Sequence, residues 1–274
     1  MDPQATRLPA VAGRFYPSAP EALTRAIHSF EDQDPPPHVI FQDAVACLAP
    51  HAGYMYSGSV ACAVYSRLPT CGRYIVLGPN HFGRGQQLAT LSSDWLTPLG
   101  AVTADRTLTA ALLRECEGMA DDPVAHAGEH SLEVQLPFLQ YFAKDFSFAP
   151  IAIGDVDYST LTKLGGILAR LFQSTGQRTM LVASSDMNHY EPDAVTRIKD
   201  RKAIERILAL DPYGLAEVID REQISMCGYA PAIAVLTAAK ELGAIKGELV
   251  KYATSADAGG DPTAVVGYAG IVIY

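Results

Sequence analysis

The chain has few positive charges and no long apolar run. Its 274 residues include 21 Lys and Arg against 30 Asp and Glu, which gives a formal net charge of −9 at pH 7. Binding to nucleic acid requires clustered cations that neutralise phosphates, and here the cations are scattered. No apolar stretch approaches the roughly 20 residues of a membrane-spanning helix. We therefore expect neither nucleic acid nor a membrane as a partner.

Cysteine is also scarce. The five cysteines are Cys47, Cys62, Cys71, Cys116 and Cys227, and none forms a CxxC pair. An odd number without such pairing argues against a disulfide framework and against a zinc site made of cysteine alone. The first residues lack the cationic start and apolar stretch of a signal peptide, so we expect a cytoplasmic protein. All except Cys227 have the surroundings of small core residues.

What the sequence does contain is an alternation of short apolar runs and helical patterns, with 49% hydrophobic residues. Strands are predicted at 44–49, 73–78, 147–153, 178–183, 247–253 and 265–273. Helices are predicted at 21–30, 59–68, 106–116, 131–142, 158–172, 194–209, 213–221 and 230–242, with a kink at Pro137. The prolines of segment 31–37 predict a loop. Together these patterns predict a single α/β domain over 1–274, with a mostly parallel central sheet and helices on both faces.

Histidines follow three of the predicted strands. His51 comes after the first apolar run, His81 after the second, and His189 shortly after a third. Ligands of open α/β sheets bind just beyond the carboxyl ends of strands. A single loop histidine most often bonds a neighbouring carbonyl, but the matched positions of His51 and His81 favour metal ligands, since imidazole binds Zn, Cu, Fe and Ni.

Asp186 and His189 lie three residues apart after the third of these strands. If Asp186 accepts a hydrogen bond from the imidazole, it fixes the tautomer of that ring and raises its basicity. His189 would then act as a general acid or base near neutral pH. In the alternative interpretation, Asp186 caps a turn and His189 is a surface residue.

Cys227 directly precedes the predicted helix at 230–242. The positive end of a helix dipole lowers the pKa of a nearby thiol and favours the thiolate that binds metal or attacks a substrate. A buried thiol packed beside Gly228 is the alternative.

His126 and His130 are spaced i, i+4, but they lack the H-E-x-x-H order of a metalloprotease helix. Glu129 instead lies directly before His130. We expect these two residues to begin the next helix, with His130 directed at the cleft as a polar wall residue.

Several of these segments together resemble the Memo family, whose prokaryotic members are often called AmmeMemoRadiSam system protein B. They are residues 9–17, the His51 loop, Gly78-Pro79-Asn80-His81, Glu129-His130-Ser131-Leu132-Glu133, Ser184-Ser185-Asp186 with His189, and Met226-Cys227-Gly228. The family is similar in fold to class III extradiol dioxygenases.

The resemblance implies a metal site formed by His51, His81 and Cys227. The implied catalytic residues are His189 and Asp186, and the implied cleft-lining residues are His130, Glu129, Asn80 and Tyr54. Three protein ligands leave a coordination position open, which is the pattern of catalytic sites. A thiolate in place of the carboxylate of the dioxygenases shifts the preference toward copper or zinc while still permitting iron.

Three hypotheses of function follow. The first is an iron- or copper-dependent redox or oxygen-dependent activity on an unknown small molecule, with zinc as a further candidate metal. The second is a non-catalytic module that binds a peptide or protein in the same cleft, acting with a radical-SAM protein and an AMMECR-like partner. The third is a metal-independent hydrolase with Cys227 as nucleophile and His189 as base.

Overall fold

The computed structural model describes residues 6–33, 39–174 and 176–274. The strands are β1 (Ala46–Ala49), β2 (Arg73–Pro79), β3 (Leu88–Thr90), β4 (Trp95–Thr97), β5 (Gly100–Ala104), β6 (Met119–Asp121), β7 (Ser147–Ile153), β8 (Thr179–Ser184), β9 (His189–Glu191), β10 (Gly247–Thr254) and β11 (Val265–Ile273). The α-helices are α1 (Pro20–Asp32), α2 (Tyr54–Tyr65), α3 (Arg106–Glu115), α4 (Pro123–His126), α5 (Leu136–Phe142), α6 (Tyr158–Gln173), α7 (Asp193–Leu208), α8 (Pro212–Glu222) and α9 (Tyr229–Glu241). Short 3₁₀ turns occupy Glu133–Gln135 and Ser255–Ala258.

One mixed sheet organises the molecule, with the strand order β10-β11-β1-β8-β2-β7-β3-β6. The four central strands, β1, β8, β2 and β7, run parallel to one another. Antiparallel strands flank them, β11 beside β1 and β3 beside β7. The predicted α/β class is therefore confirmed, and the parallel pairing is concentrated at the centre, where strands are apolar on both faces.

Helices cover both faces of this sheet, as predicted. In β2 the side chains alternate, so that Ile75 and Leu77 pack into one core and Tyr74 and Val76 into the other. The first core is completed by α6, α7, α8 and α9, and the second by α1, α2 and α5. The central strands are thus enclosed, and only their ends are available for a site.

Most predicted elements are present, with shifted ends. Helix α2 begins at Tyr54 rather than at residue 59, because Gly53 forms its N-cap. Pro137 lies in the first turn of α5 instead of kinking a longer helix, and in that turn its missing N–H costs nothing. Asp105 caps α3, and its side chain accepts a hydrogen bond from the backbone N–H of Leu108. In the predicted loop at 31–37, α1 continues to Asp32, and residues 34–37 lie outside the described residues.

The short strands β3, β4, β5, β6 and β9 were not predicted, because three to five residues make too weak an apolar pattern. All five cysteines are free thiols, and Cys47, Cys62, Cys71 and Cys116 are buried as predicted. Within the described ranges, no helix has the length and apolarity needed to cross a membrane.

Candidate metal centre

The predicted site residues meet at one edge of the sheet. His51 lies two residues beyond β1, His81 two residues beyond β2, and Asp186 two residues beyond β8. These three strands are parallel neighbours, so their carboxyl ends lie side by side. A cavity of about 520 Å³ opens there, and His51, His81, His130 and His189 all line it.

Three imidazoles form a compact group in this cavity. One ring nitrogen each of His51, His81 and His130 lies within 4.8 Å of the others. The His51 and His81 rings are nearly perpendicular with centroids 5.1 Å apart, and the His130 ring stacks on His81 at 4.6 Å. The third member of the group is therefore His130, whereas the sequence led us to expect Cys227. The Cys227 sulfur instead lies against Nε2 of His51, at 3.1 Å.

The tautomer of His51 follows from its neighbours. Its Nδ1 atom is 2.9 Å from Oγ of Ser184. That hydroxyl donates its single proton to the Ser131 carbonyl at 2.6 Å and accepts a bond from the Gln135 amide at 2.7 Å. Ser184 has no second proton to give, so Nδ1 of His51 must donate. Nε2 of His51 therefore carries a free lone pair, which is the form that binds metal.

His81 is oriented by a buried carboxylate. Its Nδ1 donates to Oε1 of Glu129 at 2.9 Å, and its backbone N–H donates to Oε2 at 2.8 Å. Burial raises the pKa of Glu129, but the bonds from His81 and Ser131 outweigh it and hold the pKa at about 2. Carboxylate–histidine pairs of this kind typically orient metal ligands. Glu129 was predicted to line the cleft, but it is fully buried behind His81.

The group fits a transition-metal cation. Burial lowers the pKa of His51 well below its ordinary value, and burial lowers that of His130 to about 4. Both rings are therefore neutral at pH 7, and neutral imidazole is the ligand form. Nitrogen donors of this type suit Zn, Cu, Fe and Ni, so the donor atoms alone do not select one metal.

The predicted hydrogen bond between Asp186 and His189 is wrong. The Asp186 carboxylate accepts the backbone N–H groups of His51 at 2.7 Å and Ala52 at 3.3 Å, and burial raises its pKa to about 7. His189 is oriented by Ser225 instead, because its Nδ1 donates to the Ser225 carbonyl at 2.9 Å. His189 nevertheless has the form expected of a general base, because its Nε2 is left as a proton acceptor.

The prediction of a lowered Cys227 pKa is also wrong. Burial and the nearby Asp186 carboxylate raise the pKa of this thiol well above its usual range. Cys227 precedes the N-cap Gly228, whose N–H donates to Oγ of Ser185 rather than to the sulfur. The protonated thiol therefore donates to the free lone pair of His51.

Two predicted cleft residues lie outside the cavity. Asn80 bonds the carbonyl of Arg84 at 2.7 Å and so closes the turn after β2. Tyr54 is buried, donates to the Val134 carbonyl at 2.7 Å and borders an adjoining cavity. Tyr56, two positions further along the same helix, lines the histidine cavity and was not predicted.

Sequence reasoning also missed a buried ion pair between Arg7 and Glu133. Arg7 donates to the carbonyls of Glu129 at 2.7 Å and His126 at 3.1 Å, so it supports the loop that carries His130. Glu133 also accepts bonds from the N-terminal segment, including the hydroxyl of Tyr16. The sequence did contain one signal of this ion pair, because Glu133 is a charged residue between the apolar residues Leu132 and Val134.

Asn188 is a second support that the sequence did not reveal. Its amide oxygen accepts from the N–H and the hydroxyl of Ser225, each at 3.1 Å. Its amide nitrogen donates to Glu191 at 2.6 Å and Thr196 at 3.2 Å. With all four hydrogen bonds made, Asn188 ties the His189 loop to the turn that leads to Cys227.

Comparison with known proteins finds relatives over nearly the whole chain. The Memo-like protein family matches residues 7–272. A MEMO1 family protein of Methanopyrus kandleri is 44% identical, with 97% of this chain and 98% of the relative aligned. Relatives bearing the same family name in Methanosarcina barkeri and Pyrobaculum aerophilum are each 42% identical, over 97% and 98% of this chain and 99% of each relative. The chain belongs to the Memo family.

Proposed function

We propose that the protein binds one iron or copper ion at the histidine cluster and uses it in redox chemistry on a small molecule in the adjoining cavity. His51 and His81 supply two imidazole ligands, and the sulfur of Cys227 supplies the third. His130 is the fourth donor within reach. The observation that carries this proposal is the position of the Cys227 sulfur on the lone pair of His51.

Both its position and the charge of its thiolate favour Cys227 as a ligand. A cation that binds Nε2 of His51 must lie beside the Cys227 sulfur, because these atoms are only 3.1 Å apart. A thiol that coordinates a metal ion is deprotonated. Coordination would therefore remove the thiol proton in spite of the raised pKa, and the resulting thiolate favours copper over harder ions while permitting iron.

A bound iron or copper ion supplies the redox chemistry, and the chain supplies binding, orientation and proton transfer. His189 lines the same cavity and Nε2 is the proton acceptor of its ring, while burial lowers the pKa of this ring so that it stays neutral at pH 7. Its fixed tautomer lets it accept a proton from a molecule in the cavity without rotating.

The test is metal analysis of the chain purified without chelator, beside four variants. We expect His51→Ala and His81→Ala to abolish stoichiometric binding. We expect Cys227→Ser to weaken copper binding and to remove the visible charge-transfer absorption of a Cu(II)–thiolate bond. His130→Gln should retain the metal. The exposed His28 provides the control, since His28→Ala removes an imidazole far from the cluster.

Two results would overturn parts of the proposal. If Cys227→Ser binds normally while His130→Gln does not, His130 is the third ligand. If all variants contain equal metal, the cluster is not a metal site. In that case, a stoichiometric partner recovered with the chain and no oxygen uptake with phenols or thiols would favour the peptide- or protein-binding module.

A further inference from the structure

Tyr190 has an unusual backbone conformation beside the cluster. In the pairing of β9 with β11, His189 lies opposite Val266 and Glu191 opposite Val265, so Tyr190 is an extra residue in a β-bulge. Its φ is +60°, in the left-handed region that a bulky side chain adopts only at a cost. Bulges beside functional sites commonly redirect a side chain.

The bulge directs the Tyr190 ring into solvent at the mouth of the cavity. The residue is 79% exposed, and its ring lies beside that of His189, with 5.6 Å between the two centroids. Its hydroxyl donates no hydrogen bond to any described residue. The strained conformation therefore adds little to the packing of the fold, and what it achieves is the presentation of an aromatic face.

The cavity behind Tyr190 has aromatic walls. Its other aromatic side chains are Phe15, Tyr56 and Tyr268. The carboxyl groups of Asp186 and Asp261 also line it, while Arg14 borders the adjoining cavity and contributes to the lowered pKa of His130. Because side chains of both charges act on the cavity, the aromatic walls are the feature that identifies a ligand, and a planar aromatic molecule matches them.

We propose that Tyr190 recognises the substrate, a planar aromatic molecule that stacks on its ring and enters the cavity. The inference rests on the proposed function, because it takes this cavity as the substrate site. An aromatic probe should bind better than a saturated probe of the same charge and similar size, because only a planar ring stacks on Tyr190.

The test uses two probes with the full chain, both as purified and after metal removal. Tyramine is aromatic and cationic, and 2-cyclohexylethylamine is cationic without an aromatic ring. Binding is followed by the backbone amide NMR signals of residues 189–191. We expect tyramine to bind at least about fivefold more tightly than 2-cyclohexylethylamine, the effect of one aromatic contact.

Variants at Tyr190 separate recognition from structure. Tyr190→Phe should retain tyramine binding, and Tyr190→Leu should weaken it about fivefold. The matched control is Tyr213→Leu, which removes an exposed tyrosine on α8 away from the cavity. Tyr190→Gly should weaken binding while leaving Tm unchanged or raising it by about 2 °C, because glycine adopts the positive φ without strain.

Equal tyramine binding by Tyr190→Leu and the parent chain, or equal binding of tyramine and 2-cyclohexylethylamine by the parent chain, would overturn the inference. A lowered Tm in Tyr190→Gly would assign Tyr190 a structural role instead. One arm uses metal-free chain, so preferential tyramine binding there supports the inference even if the metal proposal fails. Stoichiometric metal binding without preferential tyramine binding would overturn the inference and leave the metal proposal standing.

Discussion

The Sγ atom of Cys227 lies 3.1 Å from Nε2 of His51, on the ring nitrogen that the surrounding hydrogen bonds leave unprotonated. Two parts of the chain 176 positions apart thus meet at one lone pair. The contact joins the end of β1 to the turn before α9. Four predictions concern the residues that hold this contact in place and two buried carboxyl groups elsewhere in the fold.

The first concerns Ser184, which fixes the tautomer of His51. We expect Ser184→Ala to weaken metal binding by about 10–100-fold, the usual cost of losing a group that orients a ligand. Calorimetric titration with Zn²⁺ measures the affinity, and long-range ¹H–¹⁵N NMR reports the tautomer in the metal-free chain. Ser57→Ala removes another buried hydroxyl and serves as control. An unchanged Nδ1–H tautomer in Ser184→Ala would contradict the assignment.

The second concerns the buried ion pair of Arg7 and Glu133. Glu133→Ala leaves the Arg7 charge buried and unpaired, so we expect a loss of about 3–5 kcal/mol in the free energy of unfolding. Denaturant titration measures it. The exposed pair of Arg221 and Glu217 is the matched comparison, and Glu217→Ala should cost less than about 1 kcal/mol. Similar losses in the two variants would show that the buried pair has no special importance.

The third concerns Gly228, where α9 approaches the end of β8. A Cβ atom there would lie 2.3 Å from the Ser184 carbonyl oxygen and 2.4 Å from Cβ of Ser185. We expect Gly228→Ala to destabilise the fold by about 1–3 kcal/mol and to move Cys227 away from His51, which would speed its reaction with a thiol reagent. Gly72→Ala is the control, since its nearest neighbour is 4.0 Å away. An unchanged reaction rate would contradict the expected displacement.

The fourth concerns pH and the buried carboxyl of Asp200, which accepts the Asn188 N–H at 2.9 Å and the Tyr252 hydroxyl at 2.7 Å. Burial raises the pKa of Asp200 to about 7. A carboxyl whose pKa is higher in the folded chain stabilises the fold fully below about pH 4, and this contribution is lost as the pH rises through 7.

Asp200→Asn mimics the protonated carboxyl, since its amide can accept from Asn188 and donate to Tyr252. We therefore expect the variant to gain stability relative to the parent chain by roughly 2–4 kcal/mol between pH 4 and pH 7.5. Urea unfolding at several pH values measures this difference, with the exposed Asp43→Asn as control. Parallel stability curves for Asp200→Asn and the parent chain would disprove the assigned titration.

Local patterns predicted most of the fold because they depend on neighbours in sequence. The runs at β1, β2, β7 and β8 are long and apolar enough to identify buried parallel strands, and Asp105 marks the start of α3 by its capping side chain. The strand-end rule then placed His51 and His81 correctly at one edge. Short elements such as β9 escaped, because three residues carry too little pattern and their pairing depends on a bulge.

Side-chain partners were predicted less well, because they depend on what distant segments bring near. Asp186 was expected to orient His189, and it binds backbone N–H groups after β1 instead. The thiol of Cys227 was expected to be acidic, and burial beside Asp186 makes the opposite true. A helix dipole can be inferred from sequence, whereas desolvation can be known only from the folded surroundings.

The sequence by itself determined the α/β class, the family and the edge of the sheet at which the histidines gather, because periodicity and strand-end position are properties of consecutive residues. Only the tertiary structure decided which imidazoles cluster, which ring nitrogens carry protons and what holds them. Those properties follow from single hydrogen bonds between segments such as Ser184 and Ser131, 53 residues apart. Their geometry exists only once the chain has folded.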